Sequence, residues 1–370
     1  MYIYIIICSL SVMFAYMAEK VIKNKLIFIF ASFMAIFFPA YFAGCRDLDV
    51  GFDVLYYGYG IYESAHFSTS FMDLISREPK TELFYLFVNY ISVLLHDNIH
   101  FTLGFISFVT LLFAYLACYL LRKDTKLWLL YSGFMFITFA TSMNILRQSL
   151  AVSVSFYAYS IIKKKGLCPH LYLVSLIAML SHNTAILAIG SIYAFHFMSN
   201  LTKQNFSKYF KLFLVIITTF LLGISYIITL LEVIFARDYS VYFTGETDAE
   251  WAQTVFPLTF FLTAGIFIIV YLRAYKKHLI QAKDIQEFKC IVTIFICCLL
   301  LGALFTGSML RLASYYIIYI IYGFCIIICS KKLSIKQRAT YKFLIHILYL
   351  IIYIKTLGPN VLYSSSILGL

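Results

Sequence analysis

The chain has 370 residues, of which 62% are hydrophobic and 12% charged, and its mean hydropathy is +0.89. A soluble domain carries about a quarter charged residues, so this composition excludes a soluble enzyme, a secreted disulfide scaffold and a disordered chain. The formal net charge of +12 does not by itself point to nucleic acid, because in a membrane protein the position of the basic residues decides their meaning.

Apolar runs punctuated by charge fall near 1–18, 24–43, 100–121, 126–141, 149–162, 170–181, 184–199, 210–231, 255–272, 288–306, 309–329 and 341–358. They predict an all-α polytopic membrane protein of about 12 transmembrane helices, organised as one transmembrane domain over 1–370. The first run has no basic stretch before it and no small-residue cleavage pattern after it, so it reads as a retained span. The nine cysteines form no CxxC pair and mostly sit in apolar runs, where they act as small apolar fillers.

Lysine and arginine set the orientation. Basic clusters occur at Lys20/Lys23/Lys25, Arg122/Lys123/Lys126, Lys163–Lys165, Lys203/Lys208/Lys211, Arg273 to Lys289 and Lys331 to Lys342. Cytoplasmic loops are enriched in such residues. Placing the clusters inside leaves extracytoplasmic loops near 44–81 and 232–254. The apolar run 82–95 breaks this parity. At about 14 residues it is short for a crossing and reads as re-entrant or interfacial. Of the 29 lysines and arginines, only Arg46, Arg77, Lys80, Arg147, Arg237, Arg311 and Lys355 fall outside the cytoplasmic loops.

Three of these are candidates for function, because a charge at membrane depth is costly and is kept for a reason. Arg46 follows the second span. Arg147 lies in Asn144-Ile145-Leu146-Arg147-Gln148, and Arg311 stands four residues before Tyr315. On a continuous helix Asn144, Arg147 and Gln148 share one face, and Ser155 extends it. His182, in Ser181-His182-Asn183-Thr184-Ala185, falls on the same outer side. Acids gather there too: Asp47, Asp49, Asp53, Glu63, Asp73, Glu78 and Glu82 in the first loop, then Asp238 to Glu250. Tyr56, Tyr57, Tyr59, Tyr62 and Trp251 form an interfacial aromatic belt or provide faces on which sugar rings stack. No His/Cys/Asp/Glu group has metal-ligand spacing, so neither a metal nor another cofactor is expected.

Arginine forks match phosphate oxygens and stay charged at any pH. Arginines near the outer interface therefore suit a lipid-linked pyrophosphate. A nearby carboxylate or histidine would take a proton from a sugar hydroxyl, while the arginines stabilise the charge developing on the leaving group.

The chain resembles the EpsG-like proteins, bacterial polymerases of exopolysaccharide and O-antigen repeat units (Wzy-type enzymes). The resemblance is carried by Arg46-Asp47-x-x-Val50-Gly51-x-Asp53-x-x-Tyr56, by Asn144-x-x-Arg147-Gln148-x-Leu150-Ala151, by Ser181-His182-Asn183-Thr184-Ala185 and by Arg311-x-x-x-Tyr315-Tyr316. The family's Glu-Pro before the short apolar segment has two counterparts here. Glu82 has the place without the proline, and Glu78-Pro79 keeps the dipeptide four residues early. Thr184 stands for the usual serine.

The resemblance implies a glycosyltransferase with an architecture like the lipid-linked (GT-C-type) enzymes. It would sit in the bacterial inner membrane with its site facing the periplasm. It would transfer a growing glycan from undecaprenyl pyrophosphate to the terminal sugar of an incoming lipid-linked repeat unit, without a metal. Arg147 and Arg311 would hold pyrophosphate, helped by Asn144, Gln148 and Tyr315, and Arg46 would assist or brace the first loop through Asp47. The base would be Asp53, Glu82 or His182. The partners implied are the undecaprenyl-pyrophosphate-linked oligosaccharide, membrane lipid, a chain-length regulator and a flippase, with no nucleic acid. The competing readings are an O-antigen ligase or another polyprenyl-dependent glycosyltransferase, and, from another class, a repeat-unit flippase.

Overall fold

The computed structural model describes residues 2–51, 53–222, 265–266, 268–279, 281–304, 311–356 and 363–369. The loop 232–254 expected outside the membrane, with Arg237, Asp238 to Glu250 and Trp251, lies outside the described residues. Every regular element among those described is helical. Among the described residues four helical stretches are long and apolar enough to cross a membrane, at Tyr2–Lys20, Lys25–Gly44, Ile99–Leu121 and Arg311–Cys329. Four shorter apolar helices accompany them there, and the described residues are those of an all-helical membrane protein.

The chain forms two compact units, 1–190 with 336–370, and 191–335. The first contains α1 (Tyr2–Lys20), α2 (Lys25–Gly44), a π-helical turn (Val54–Tyr59), α3 (Gly60–His66), α4 (Phe71–Arg77), α5 (Leu83–Leu95), α6 (Ile99–Leu121), α7 (Leu127–Ile137), α8 (Phe139–Asn144), α9 (Leu146–Lys165) and α10 (Pro169–Ser181). It also holds most of α15 (Ile335–Thr356). The second contains α12 (Lys203–Leu222), α13 (Ala282–Leu304) and α14 (Ser314–Cys329), and α11 (Ala185–Ser199) runs across the boundary. The loop 44–81, expected from the sequence on the extracytoplasmic side, is thus largely helical.

In the first unit α9 packs against α6 and α10, while α2 packs against α1 and α6. Helix α9 is almost wholly buried although Gln148, Ser149, Ser153, Ser155 and Ser160 lie along it. Polar residues in a membrane helix face the protein interior, and α5 follows the same rule. Its Tyr85, Asn89 and Ser92 are buried, whereas Leu83, Phe87, Leu94 and Leu95 are exposed. Asn89 donates to the Tyr85 carbonyl at 2.9 Å, and Ser92 donates to Thr102 on α6 at 2.9 Å. With 13 residues, α5 is about 20 Å long, well short of a hydrocarbon core of about 30 Å.

Helix α2 carries Pro39 in its interior. Proline has no N–H, so the Ala35 carbonyl one turn back loses its helical partner. Two side chains replace it: the Ser11 hydroxyl at 2.5 Å and the Tyr131 hydroxyl at 3.1 Å, both donating to Ala35 O. These bonds tie α1 and α7 to α2 at one buried point. Nearer the end of the helix, α2 and α6 meet where Gly44 faces Gly104. A Cβ on Gly44 would sit 2.7 Å from the His100 carbonyl oxygen, so only glycine fits.

In the second unit α13 packs on α14 and α12. Tyr316 and Ser191 hydroxyls bond at 2.9 Å, and the Tyr271 hydroxyl donates to the Ile285 carbonyl at 2.7 Å.

The arrangement at Pro39 makes a specific prediction. Ser11→Ala and Tyr131→Phe should each lower stability in detergent by about 0.5–1.5 kcal/mol, the net worth of one hydrogen bond. In a Pro39→Ala background the restored N–H again satisfies Ala35, so both penalties should shrink. Equal penalties in the two backgrounds, read from melting curves, would show that the hydroxyls do not compensate for the proline.

Candidate functional site

The loop after α2 turns back at Gly51, whose φ is +108°, a region that favours glycine. A Cβ there would lie 2.8 Å from the Met143 carbonyl oxygen. The glycine of the Arg46–Asp53 motif thus lets this loop press against the end of α8, beside Asn144. Asp53 follows, buried, and heads the π-helical turn Val54–Tyr59. Such turns recur at functional sites. Gly58 seats this one against Leu103 of α6 and Leu146 of α9.

Arg147 stands at the start of α9. Asn144 and Arg147 do not share one helix as the spacing predicted: Ile145 leaves helical geometry (φ −104°, ψ 74°), ending α8 and starting α9. The i, i+3, i+4 relation among Asn144, Arg147 and Gln148 therefore fails at Asn144. The break places Arg147 in the first turn of α9. There it donates through Nη1 to Glu82 Oε2 at 2.8 Å, and both side chains are largely buried. The guanidinium also lies over the Tyr57 ring, 3.7 Å from its centroid. That stacking contributes about 0.5–2 kcal/mol. Tyr57 is held in turn by Tyr85, whose hydroxyl donates to its carbonyl at 2.6 Å.

The second carboxylate oxygen of Glu82 accepts the Asn183 backbone N–H at 3.4 Å. The turn between α10 and α11 is thereby tied to the same carboxylate. Next to it, His182 Nδ1 accepts from the Thr184 N–H at 3.2 Å and lies 2.8 Å from its hydroxyl. An accepting Nδ1 leaves the proton of a neutral ring on Nε2. Asp53 lies within electrostatic reach of both Arg147 and Tyr85. The structure thus brings Glu82, Arg147, Asp53 and the His182 turn together. It also separates the two candidate glutamates, because Glu78 accepts the Ser64 hydroxyl at 2.6 Å instead.

Arg46 is fully buried. The expectation that it braces the first loop through Asp47 is not met. Asp47 Oδ1 accepts both the N–H and the hydroxyl of Ser366 at 2.8 Å, and these bonds hold its carboxyl below the usual carboxylate range. Among the described residues none of the Arg46 guanidinium nitrogens has a hydrogen-bond partner. Arg311 and Tyr315 belong to the second unit, where Arg311 opens a 3-10 turn (Arg311–Ala313) leading into α14 and Tyr315 is buried. Tyr85 and the Asn183 N–H were not singled out as site groups from the sequence, and Tyr57 was read as a belt or sugar-stacking aromatic, not as a partner of Arg147. Only Tyr85, three residues after Glu82 on a helix, had a spacing that signals a shared location.

A groove of about 480 Å³ lies between α2 and α6. Phe37, Tyr41, Phe101, Phe105 and Phe108 line it, and His96, Asn98 and His100 stand at one end. Among the described residues no group of His, Cys, Asp and Glu is arranged to hold a metal, and all nine cysteines are free.

An all-helical membrane protein with a buried arginine–carboxylate pair, held by short helices and a π-turn, is the class these features define. A model of the EpsG family matches residues 26–367, and the chain belongs to that family. Membership points to a polysaccharide-polymerase role of glycosyltransferase type. No curated protein and no solved structure matches the chain.

The pair itself can be tested by a double-mutant cycle. Arg147→Met strands a buried carboxylate and should cost about 3–5 kcal/mol, whereas Glu82→Met with Arg147→Met should recover much of the loss. Melting temperatures in detergent give the order. A double variant no more stable than Arg147→Met alone would show that the pair is not coupled.

Proposed function

We propose that the chain polymerises lipid-linked oligosaccharide repeat units on the periplasmic face of the bacterial inner membrane. The growing glycan passes from its undecaprenyl pyrophosphate carrier to the terminal sugar of an incoming repeat unit. The proposed architecture is GT-C-like, with about 12 spans and with 82–95 dipping into the outer face. The observation that carries the reading is the buried Glu82–Arg147 pair, reached by three of the four motifs that mark the resemblance.

In this mechanism Glu82 takes the proton of the acceptor hydroxyl. Its Oε2 is engaged by Arg147, while its Oε1 has only the long bond to Asn183 and is the freer acceptor. His182 has its Nδ1 occupied by Thr184, which favours the carboxylate over the imidazole as base. The acceptor oxygen attacks the anomeric carbon, the bond from that carbon to the phosphate oxygen breaks, and the electron pair leaves on the lipid pyrophosphate. Arg147 makes a single bond to Glu82, so the rest of its fork is available to the leaving group. The resemblance also gives an anion-binding role to Arg311, with Tyr315 one turn on, and both belong to the second unit. The aromatic groove between α2 and α6, polar at one end, suits the isoprenoid chain.

Deletion of the gene tests the reading. The expected surface glycan is a single repeat unit on its acceptor. Loss of all repeats would favour a ligase or flippase, and unchanged long chains would sink all three. Arg147→Lys should reduce polymerisation roughly 10–100-fold, the worth of about 1.5–3 kcal/mol for a charged hydrogen bond. Retained polymerisation would argue against recognition by a guanidinium fork. For topology, reporter fusions at Asp97 and Lys123 should report opposite sides of the membrane. The same side for both would mean that the proposed orientation is wrong.

A further inference from the structure

Arg46 differs from Arg147 in having no counter-charge paired to it among the described residues. It is fully buried, and among those residues Nε, Nη1 and Nη2 find no hydrogen-bond partner. The adjacent carboxylate of Asp47 is committed to Ser366. Tyr4, Tyr85 and Tyr363 lie within electrostatic reach of the guanidinium. The hydroxyls of Tyr85 and Tyr363 donate elsewhere, to the carbonyls of Tyr57 and Phe42. A guanidinium has five N–H donors, and burying them unmet is among the most unfavourable arrangements a side chain can take. A ligand with several acceptor oxygens would remove that cost. A tetrahedral oxyanion matches the planar fork in geometry and charge.

The covering of this residue is equally specific. Residues 363–366 lie along the loop 45–47. The Asp47 N–H donates to the Ser364 carbonyl at 3.0 Å, and the Ser365 hydroxyl donates to the Cys45 carbonyl. The Tyr363 ring stacks on Phe42 with centroids 3.8 Å apart and meets Tyr4 edge-on at 5.7 Å. The strap is fastened to Phe42, Cys45 and Asp47 on both sides of Arg46, by the Tyr363 stacking at one end and, at Cys45 and Asp47, by polar bonds that water can replace.

We propose that Arg46 is the phosphate-binding residue of a closed subsite and that residues 363–366 are the strap that shuts it. The ligand is a phosphate-type oxyanion, either the headgroup of a lipid-linked pyrophosphate or pyrophosphate free in solution. Identifying the lipid as the source rests on the polymerase reading; the subsite itself does not. Tyr85, within electrostatic reach of both Arg46 and Arg147, places the subsite next to the Glu82 pair.

The test uses the full chain purified in detergent, melted with inorganic pyrophosphate or with a polyprenyl pyrophosphate. Each should raise the melting temperature of the wild type if it binds. A shift at about tenfold lower concentration of the lipid assigns the lipid headgroup, and equal concentrations assign the free anion. Arg46→Met should melt at or above the wild-type temperature without ligand, because it removes a buried unpaired charge, and should require at least about tenfold more ligand for any shift. A lower ligand-free melting temperature, or failure to fold, would make Arg46 structural and overturn the proposal. So would an unchanged ligand response in this variant, or no response in the wild type. Asp47→Asn combined with Ser366→Ala should speed ligand release, and unchanged release would overturn the strap. If the deletion strain keeps long chains while Arg46→Met loses ligand, the polymerase reading fails and the subsite stands. The reverse pattern separates them the other way.

Discussion

The first unit is organised around one electrostatic requirement: a carboxylate and a guanidinium withdrawn from water must be held against each other. Separated, each charge would carry a desolvation penalty of several kcal/mol. Paired at 2.8 Å, they constrain the elements that bear them. Glu82 fixes the start of α5, Arg147 fixes the start of α9, and Asn183 brings the α10–α11 turn to the same carboxylate. Tyr57 completes the surround from the π-turn. Four segments distant in sequence therefore converge because two charges need each other, and the site's geometry follows from that convergence.

The helices yield to this requirement by breaking. Helix α8 ends at Asn144, and Ile145 interrupts the path to α9, so the two apolar runs 126–141 and 149–162 form three helices. In hydrocarbon each interruption releases backbone groups that must find partners within the protein. At Pro39 two hydroxyls from other helices take up the freed carbonyl. At the π-turn the Tyr57 carbonyl receives the Tyr85 hydroxyl. The second case joins backbone repair to the site, because the tyrosine that serves Tyr57 also stands beside Arg147. Irregular backbone is tolerated at membrane depth where it is buried in protein, and here it is buried around the charged pair.

Much of this was legible in the sequence. The runs 1–18, 24–43 and 100–121 correspond to α1, α2 and α6, because apolar length reports a membrane helix directly. The glutamate left open between Glu78 and Glu82 could not be decided that way. Their difference lies in the turn of chain between α4 and α5, which hydropathy does not record. The shared face of Asn144 and Arg147 was misread because a 3.6-residue period assumes an unbroken helix, and neither Pro nor Gly marks the break at Ile145. The Arg46 environment was equally hidden. Its neighbours come from α1, α5 and residue 363, a contact set that only tertiary structure assembles, and Asp47 beside it in sequence turns out to be bonded to Ser366.

Positive charge in this chain therefore does three different things. The lysine and arginine clusters that set orientation account for most of it. Arg147 is neutralised inside the protein by Glu82, so its charge positions and is positioned, and the pair can remain buried without a ligand. Arg46 is not in an orienting cluster, and among the described residues nothing pairs with its guanidinium. A buried charge of that kind lowers the stability of the empty protein. That loss is offset when an anion arrives, and then the same desolvation that disfavoured the empty state strengthens the attraction. An arginine already paired has less of this attraction to offer. On that physical ground the two arginines contribute differently in one site: Arg147 orients a carboxylate and offers the rest of its fork, and Arg46 gives a phosphate the stronger attraction.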